Sequence, residues 1–257
     1  MRVRCLLLPR NGQEQYFASR LRRQPRSILP GERGGGMNHF QAAIFDLDGT
    51  LLDSMGVWEK IDVEFLAKRG FTVPPDYLDA ICARTFYEVA RYTIARFALS
   101  ETPEDLMEEW RQMALCEYSC KIRLKPYVKE YLSLLHTRGI KLGTATTLSP
   151  QLSGPCLENN GIAHFFDAQA TTDQAGSGKD KPDVYLLAAR QLGFPPEACI
   201  VFEDLPQGIL SAKQAGMTAI GVLEYTLKDQ QTRMRGIADG FICDFREAPI
   251  PPAIGSR

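Results

Sequence analysis

Three carboxylic acids fall within eight positions in the stretch AAIFDLDGTLLDS, residues 42–54: Asp46, Asp48 and Asp53. Ionised carboxylates brought together behind an apolar run repel one another and lose hydration. Asp-Gly alone is turn chemistry. A second acidic pair, Glu203-Asp204, closes another apolar run, CIVF, far along the chain. If both runs are strands of one sheet, four carboxyl groups converge on one edge, and a divalent cation would relieve their repulsion. Hard oxygen ligands in small number, with room left for water and phosphate, suit Mg²⁺. A calcium loop is excluded by spacing, since counting from Asp46 the fourth position is Gly49 and the twelfth is Val57. Two further groups fit an anion. Thr146 offers a hydroxyl at the end of KLGTAT, and Lys179 in GSGKDKPDVY offers a point charge ahead of a helix. Together they suit a phosphoryl group held by a metal, an ammonium and a hydroxyl, with Asp46 aimed at phosphorus.

The elements that must position these groups follow from hydrophobic period. QAAIF reads as a short strand ending at Asp46. Residues 55–122 contain no strand pattern and several amphipathic helices: VWEKIDVEFLAKRG, DAICARTFYEVARYTIARFAL, and TPEDLMEEWRQMALCEYSC with Thr102 as N-cap and Pro103 at the first helical position. Such a block reads as a helical cap inserted after the first strand. Beyond it, helices and strands alternate. PYVKEYLSLLHTRG leads into IKLGTAT, SGPCLENNG into FDAQAT, KPDVYLLAARQLG into ACIVFED, and LPQGILSAKQAG into TAIGVL. This is the pattern of a doubly wound parallel α/β sheet, whose ligands lie outside the carboxyl ends of the strands. The expected organisation is a leader over 1–36, a core over 37–55 and 124–250, and a cap over 56–123.

Of the 257 residues 44% are hydrophobic and 24% charged, and the formal net charge of -1 gives no global attraction to nucleic acid or anionic membranes. No apolar stretch approaches the roughly 20 residues of a membrane-spanning helix. Residues 1–36 differ, with eight Arg and two Glu but no Lys. Arg-, Pro- and Gly-rich, they read as disordered. A transit peptide, a nucleic-acid arm and a start assigned too far upstream compete for this segment, and Met37 is the expected start. The seven cysteines form no CxxC and no zinc spacing. Cys116 and Cys120 share a helix face and read as buried thiols, and the expected compartment is the reducing cytoplasm.

The motifs FDLDGTLLD, GTATT, GKDKPDVY and FEDLPQGILSAKQAG, spread over about residues 40–247, resemble those of the haloacid dehalogenase superfamily. The resemblance is to its helical-cap branch, which includes β-phosphoglucomutase-like proteins and sugar-phosphate phosphatases. It implies a Rossmann-like core and a monomer. Asp46 would be nucleophile and metal ligand, and Asp48 the acid/base, its carbonyl also on the metal. Thr146 and Lys179 would bind the transferring phosphoryl group, while Glu203 and Asp204 would hold Mg²⁺. Backbone N–H groups of Leu47, Asp48 and Thr147 would complete the cradle. The third motif departs from the usual Lys-Pro-x-Pro, reading KDKP. Aligning its PD-x-Y tail makes Lys179, rather than Lys181, the functional lysine. Asp53 is expected to brace the turn.

The resemblance implies phosphoester rather than dehalogenase chemistry, because Asp48 is present. Thr50 and Trp58 stand where β-phosphoglucomutases carry a hydrophobic residue and a cap His, which favours hydrolysis over the mutase alternative. The stretch DAICARTFYEVA has no Lys for a Schiff base. Trp58, Arg84 and Tyr87 are the candidate cap residues facing substrate, a small phosphorylated metabolite. A non-enzymatic phospho-ligand binder is the remaining alternative, although a binder has no need of Asp48.

Overall fold

The two apolar runs that end in acids lie side by side. Strand β1 (Ala42–Phe45) pairs in parallel with β4 (Cys199–Glu203), in a register that sets Phe45 opposite Phe202. This is seen in a computed structural model that describes residues 39–81, 86–223 and 228–252. On its other side β1 pairs with β2 (Lys141–Thr146), and β2 with β3 (Ala168–Thr171). Strands β5 (Thr218–Val222) and β6 (Gly240–Ile242) extend the sheet beyond β4. The order is β3-β2-β1-β4-β5-β6, all parallel. The connection leaves β1 toward β2 and later crosses back to β4, so the switch point of the winding lies at the carboxyl ends of β1 and β4.

Alternation along β1 assigns its side chains to two layers. Ala43 and Phe45 join the larger core, while Ala42 and Ile44 join the other. Phe45 stacks on Phe202 at 4.9 Å between ring centroids, and Tyr131 meets Phe202 edge-on at 5.7 Å. The longer helices of this half are α5 (Val128–Thr137), α6 (Pro150–Asn159), α7 (Asp183–Leu192), α8 (Pro206–Gln214) and α9 (Lys228–Ile237), beside a one-turn helix over Thr172–Ala175. Strand β6 and helix α9 go beyond the elements read from the sequence. GFI is too short to show a period, and α9 has a polar sequence with no clear apolar stripe.

Between β1 and α5 the chain forms helices only: α1 (Val57–Ala67), α2 (Tyr77–Ile81), α3 (Phe86–Phe97) and α4 (Pro103–Cys120), among the described residues. Thr102 caps α4 as expected, in a reciprocal capping box with Asp105. Of the helical stretch expected over 79–99, the described residues form the end of α2 and all of α3, and residues 82–85 lie outside them. Trp110 joins the block, packing against Phe65 at 5.2 Å and Phe86 at 5.5 Å. The outgoing and returning chain segments pair where they leave the sheet half. The Asp53 N–H donates to the Arg123 carbonyl at 2.9 Å, and the Lys125 N–H to the Leu51 carbonyl at 2.9 Å. One cysteine expectation is corrected here. The inner face of α4 is Leu106, Trp110, Ala114, Glu117 and Tyr118, which turns Cys116 and Cys120 to the exposed side. The expected leader over 1–36 lies outside the described residues.

Helix α1 buries an acid. Asp62 is only 9% exposed, and burial, with the charge of Glu59 one turn away, pushes its carboxyl up to about 7. The phenol of Tyr77 on α2 feels the charge of Asp62 and hydrogen-bonds Thr93 at 2.7 Å. A raised native pKa means the folded state binds the proton more tightly, so stability is full below about pH 4 and is lost as pH rises through 7. Denaturant unfolding should show Asp62→Asn more stable than the parent at pH 8, by on the order of 3 kcal/mol. The gap should close below about pH 4. Equal pH dependence in the two proteins would contradict a proton held at Asp62.

Candidate active site

The site is built where β1, β2 and β4 end. The Asp46 N–H still donates to the Phe202 carbonyl at 3.0 Å, so this residue continues the ladder while its side chain passes the sheet edge. Carboxylate oxygens of Asp46, Glu203 and Asp204 all lie within 4.8 Å of one another. Lys179, on the loop ahead of α7, ion-pairs with both Asp46 and Glu203, and its side chain is 10% exposed. Lys181 is exposed, so of the two lysines in KDKP it is Lys179 that the fold brings to the acids.

Each acid is held differently. Glu203 is fully buried and accepts from the Tyr185 hydroxyl at 2.9 Å and the Leu205 N–H at 3.1 Å, besides Lys179. Asp204 is less enclosed and accepts a long 3.5 Å contact from the Thr50 hydroxyl. Asp48 accepts from the Tyr118 hydroxyl at 2.8 Å. Two glycines make room. At Gly49, with φ of +75°, a Cβ would stand 2.3 Å from Asp204 Oδ2. At Gly208 it would stand 2.5 Å from the Glu203 carboxyl carbon.

The electrostatics follow from burial and crowding. Burial raises the Asp46 carboxyl well above the ordinary range, and Glu203 and Asp204 add to that, against the opposing charge of Lys179. Asp204 is pushed up to about 7 by burial and by Glu203. Burial also raises Asp48. Burial alone would lower Lys179, but the charges of Asp46 and Glu203 override it and hold the ammonium protonated. Three acids gathered about Lys179, with the charge of Lys125 reaching Asp204, leave the pocket short of positive charge. An all-oxygen donor set of this kind fits a small hard divalent cation, as carboxylate groups do.

Thr146, at the end of β2, is 2% exposed, and its hydroxyl oxygen accepts from the Leu148 N–H at 3.0 Å. That leaves its hydrogen to donate elsewhere. Among the described residues, the N–H groups of Leu47, Asp48 and Thr147 donate to no backbone carbonyl. Of the cap candidates, Trp58 is 41% and Tyr87 45% exposed, with Trp58 set edge-on to Phe86 at 6.0 Å. Arg84 lies outside the described residues. Asp53 has an exposed side chain with no hydrogen bond or ion pair among the described residues, so its part in the turn is through its backbone N–H.

Tyr118, Tyr185, Gly49 and Gly208 were not among the residues expected at the site. Tyr185 ends the PDVY tail, where its place in the first turn of α7 could have marked it. No spacing in a single sequence links position 118 to position 48.

The chain is matched over residues 43–222 by the family model of haloacid dehalogenase-like hydrolases. It is 30% identical over 200 residues to a hexitol phosphatase B of Escherichia coli strain K12, covering 70% of this chain and 82% of that protein. It is 28% identical over 183 residues to a fructose-1-phosphate phosphatase of the same strain, covering 71% of this chain and 96% of that one. CbbY from Rhodobacter sphaeroides, solved in complex with phosphate, shares the fold with a TM-score of 0.66 at 24% identity, over 81% of this chain and 96% of its own. Its acids gathered at the switch point of a parallel sheet and the family match over most of its length agree: this chain belongs to the haloacid dehalogenase-like hydrolases.

Proposed function

We propose that the protein is a Mg²⁺-dependent phosphatase that hydrolyses a small, sugar-phosphate-like monoester through an aspartyl-phosphate on Asp46. The observation that carries the reading is the convergence of Asp46, Glu203 and Asp204 within 4.8 Å, with Lys179 bridging two of them. The substrate class rests on the named activities of the relatives, a fructose-1-phosphate phosphatase and a hexitol phosphatase.

In this reading Lys179, the Thr146 hydroxyl and the N–H groups of Leu47, Asp48 and Thr147 orient the phosphoryl oxygens. Asp46, the Asp48 carbonyl, Glu203 and Asp204 would hold the cation, which when bound supplies positive charge against the phosphoryl oxygens. An Asp46 oxygen attacks phosphorus as the bond to the leaving oxygen breaks, and Asp48 gives that oxygen its proton. A water then attacks the phosphorus of the acyl phosphate, losing a proton to Asp48. The acyl–phosphoryl bond breaks, Asp46 is restored and inorganic phosphate leaves. Burial of Asp48 favours the protonated form that the first step requires. Residues 56–123 act as a cap that limits water during transfer, with Trp58 and Tyr87 as its candidate contacts to the leaving group.

Hydrolysis of p-nitrophenyl phosphate should require added Mg²⁺, and Asp46→Asn should lower turnover by about a thousandfold or more. Unchanged turnover in that variant would overturn the nucleophile assignment. On β-glucose 1-phosphate, free phosphate should appear without glucose 6-phosphate; net isomerisation without phosphate release would make the enzyme a mutase. Lys179→Met strips the buried acids of the ammonium between them. Urea unfolding without metal at pH 8 should show a loss of about 3 kcal/mol. That loss should shrink below pH 7, as Asp204 and Asp46 take up protons. A loss independent of pH would contradict the charge account.

A further inference from the structure

Tyr118 reaches from the last helix of the cap segment to the residue assigned above as acid/base. Its ring is fully buried, and its hydroxyl donates to Asp48 Oδ1 at 2.8 Å. No other partner of that hydroxyl is found among the described residues. The phenol is held far above its ordinary range by burial and by the nearby Asp48 charge, so it stays a neutral donor.

The end of α4 is a fixed platform for this contact. Glu117, next to Tyr118, is 6% exposed and accepts from Lys60 of α1 at 2.7 Å and from Lys121 at 2.7 Å. Just beyond, Arg123 and Leu124 pair back onto Asp53 and Leu52, in the same loop that carries Asp48. The hydroxyl and the carboxyl are therefore set by two segments that are themselves hydrogen-bonded together.

We infer that Tyr118 is a positioning residue for proton transfer: by occupying Oδ1 as a donor, it confines the transferable proton to Oδ2 of Asp48. This rests on the acid/base assignment of Asp48. A phenol has one hydrogen and a carboxylic acid has one. Were the proton on Oδ1, it would point at the phenol oxygen, whose own hydrogen would then lose the one acceptor found for it among the described residues. With the proton on Oδ2, both hydrogens are used, one on Oδ1 and one on the leaving oxygen. As the leaving oxygen takes the proton from Oδ2, its bond to phosphorus breaks, and the Tyr118 hydrogen bond then faces an ionised carboxylate. The water of the second step returns a proton to the same Oδ2, and the phenol neither gains nor loses one.

The test compares a leaving group that needs protonation with one that does not. The glycerol of glycerol 2-phosphate departs as an alkoxide unless its oxygen is protonated, whereas p-nitrophenolate is stable as an anion. In Tyr118→Phe, the ratio of kcat/KM for glycerol 2-phosphate to that for p-nitrophenyl phosphate should fall about tenfold or more, with Asp48→Asn falling further. In an Asp48→Asn background, adding Tyr118→Phe should not change the ratio. Both rates come from one preparation, so the ratio is insensitive to the fraction folded, and Tyr118→Met gives the same reading if the Phe variant cannot be purified. A Tyr118→Phe ratio equal to the parent's, with Asp48→Asn selective, would overturn the positioning role and leave the acid intact. An unselective Asp48→Asn would overturn the acid assignment and this inference with it.

Discussion

An ammonium buried between carboxylates is the contact around which this structure is arranged. Lys179 sits between Asp46 and Glu203, nearly out of solvent, and neither sign would be stable there without the other. The pairing demands that three distant stretches meet. Asp46 ends β1, Glu203 ends β4, and Lys179 lies on the loop before α7. Parallel pairing of β1 with β4 brings the two acids to one edge, and Gly49 and Gly208 leave the space the carboxyl groups occupy. Lys179 stands amid three acids, so the pocket retains an appetite for positive charge, which a divalent cation would meet in the proposed reaction.

The helical block between β1 and α5 enters the site through its last helix. Its outgoing and returning segments are paired through Leu51–Asp53 and Arg123–Lys125, so the block is tied to the same loop that carries Asp48. Tyr118 extends that tie to the carboxyl itself. If this block moves as the proposed cap, motion about the paired stem would leave the stem's own contacts in place and keep the acid aligned.

The sequence made much of this site readable because Asp46, Thr146 and the Glu203-Asp204 pair each stand at the end of a strand. AAIF, KLGTAT and CIVF are apolar runs with polar residues immediately after them, and all three became neighbouring strands. The departure in KDKP was resolved by the PDVY tail, and burial separates Lys179 from Lys181 accordingly. What stayed hidden depends on tertiary approach. Tyr118 on an amphipathic helix looks like any core aromatic, and only the return of the chain beside Leu52 brings it to Asp48. Cys116 and Cys120 share a face, yet the position of Trp110 and Ala114 decides that this face is outward. Strand β6 is three residues long, below the length at which alternation can be recognised.

The account stands on Asp46 as the group that receives phosphorus. Rapid acid quench of a single turnover with Mg²⁺ and a phosphomonoester, followed by peptide mass spectrometry, reads this directly. The phosphoryl adduct should lie on the peptide that contains Asp46, should rise before free phosphate appears, and should be absent in Asp46→Asn. An adduct on another residue, or phosphate released at full rate with no adduct at any time, would contradict it.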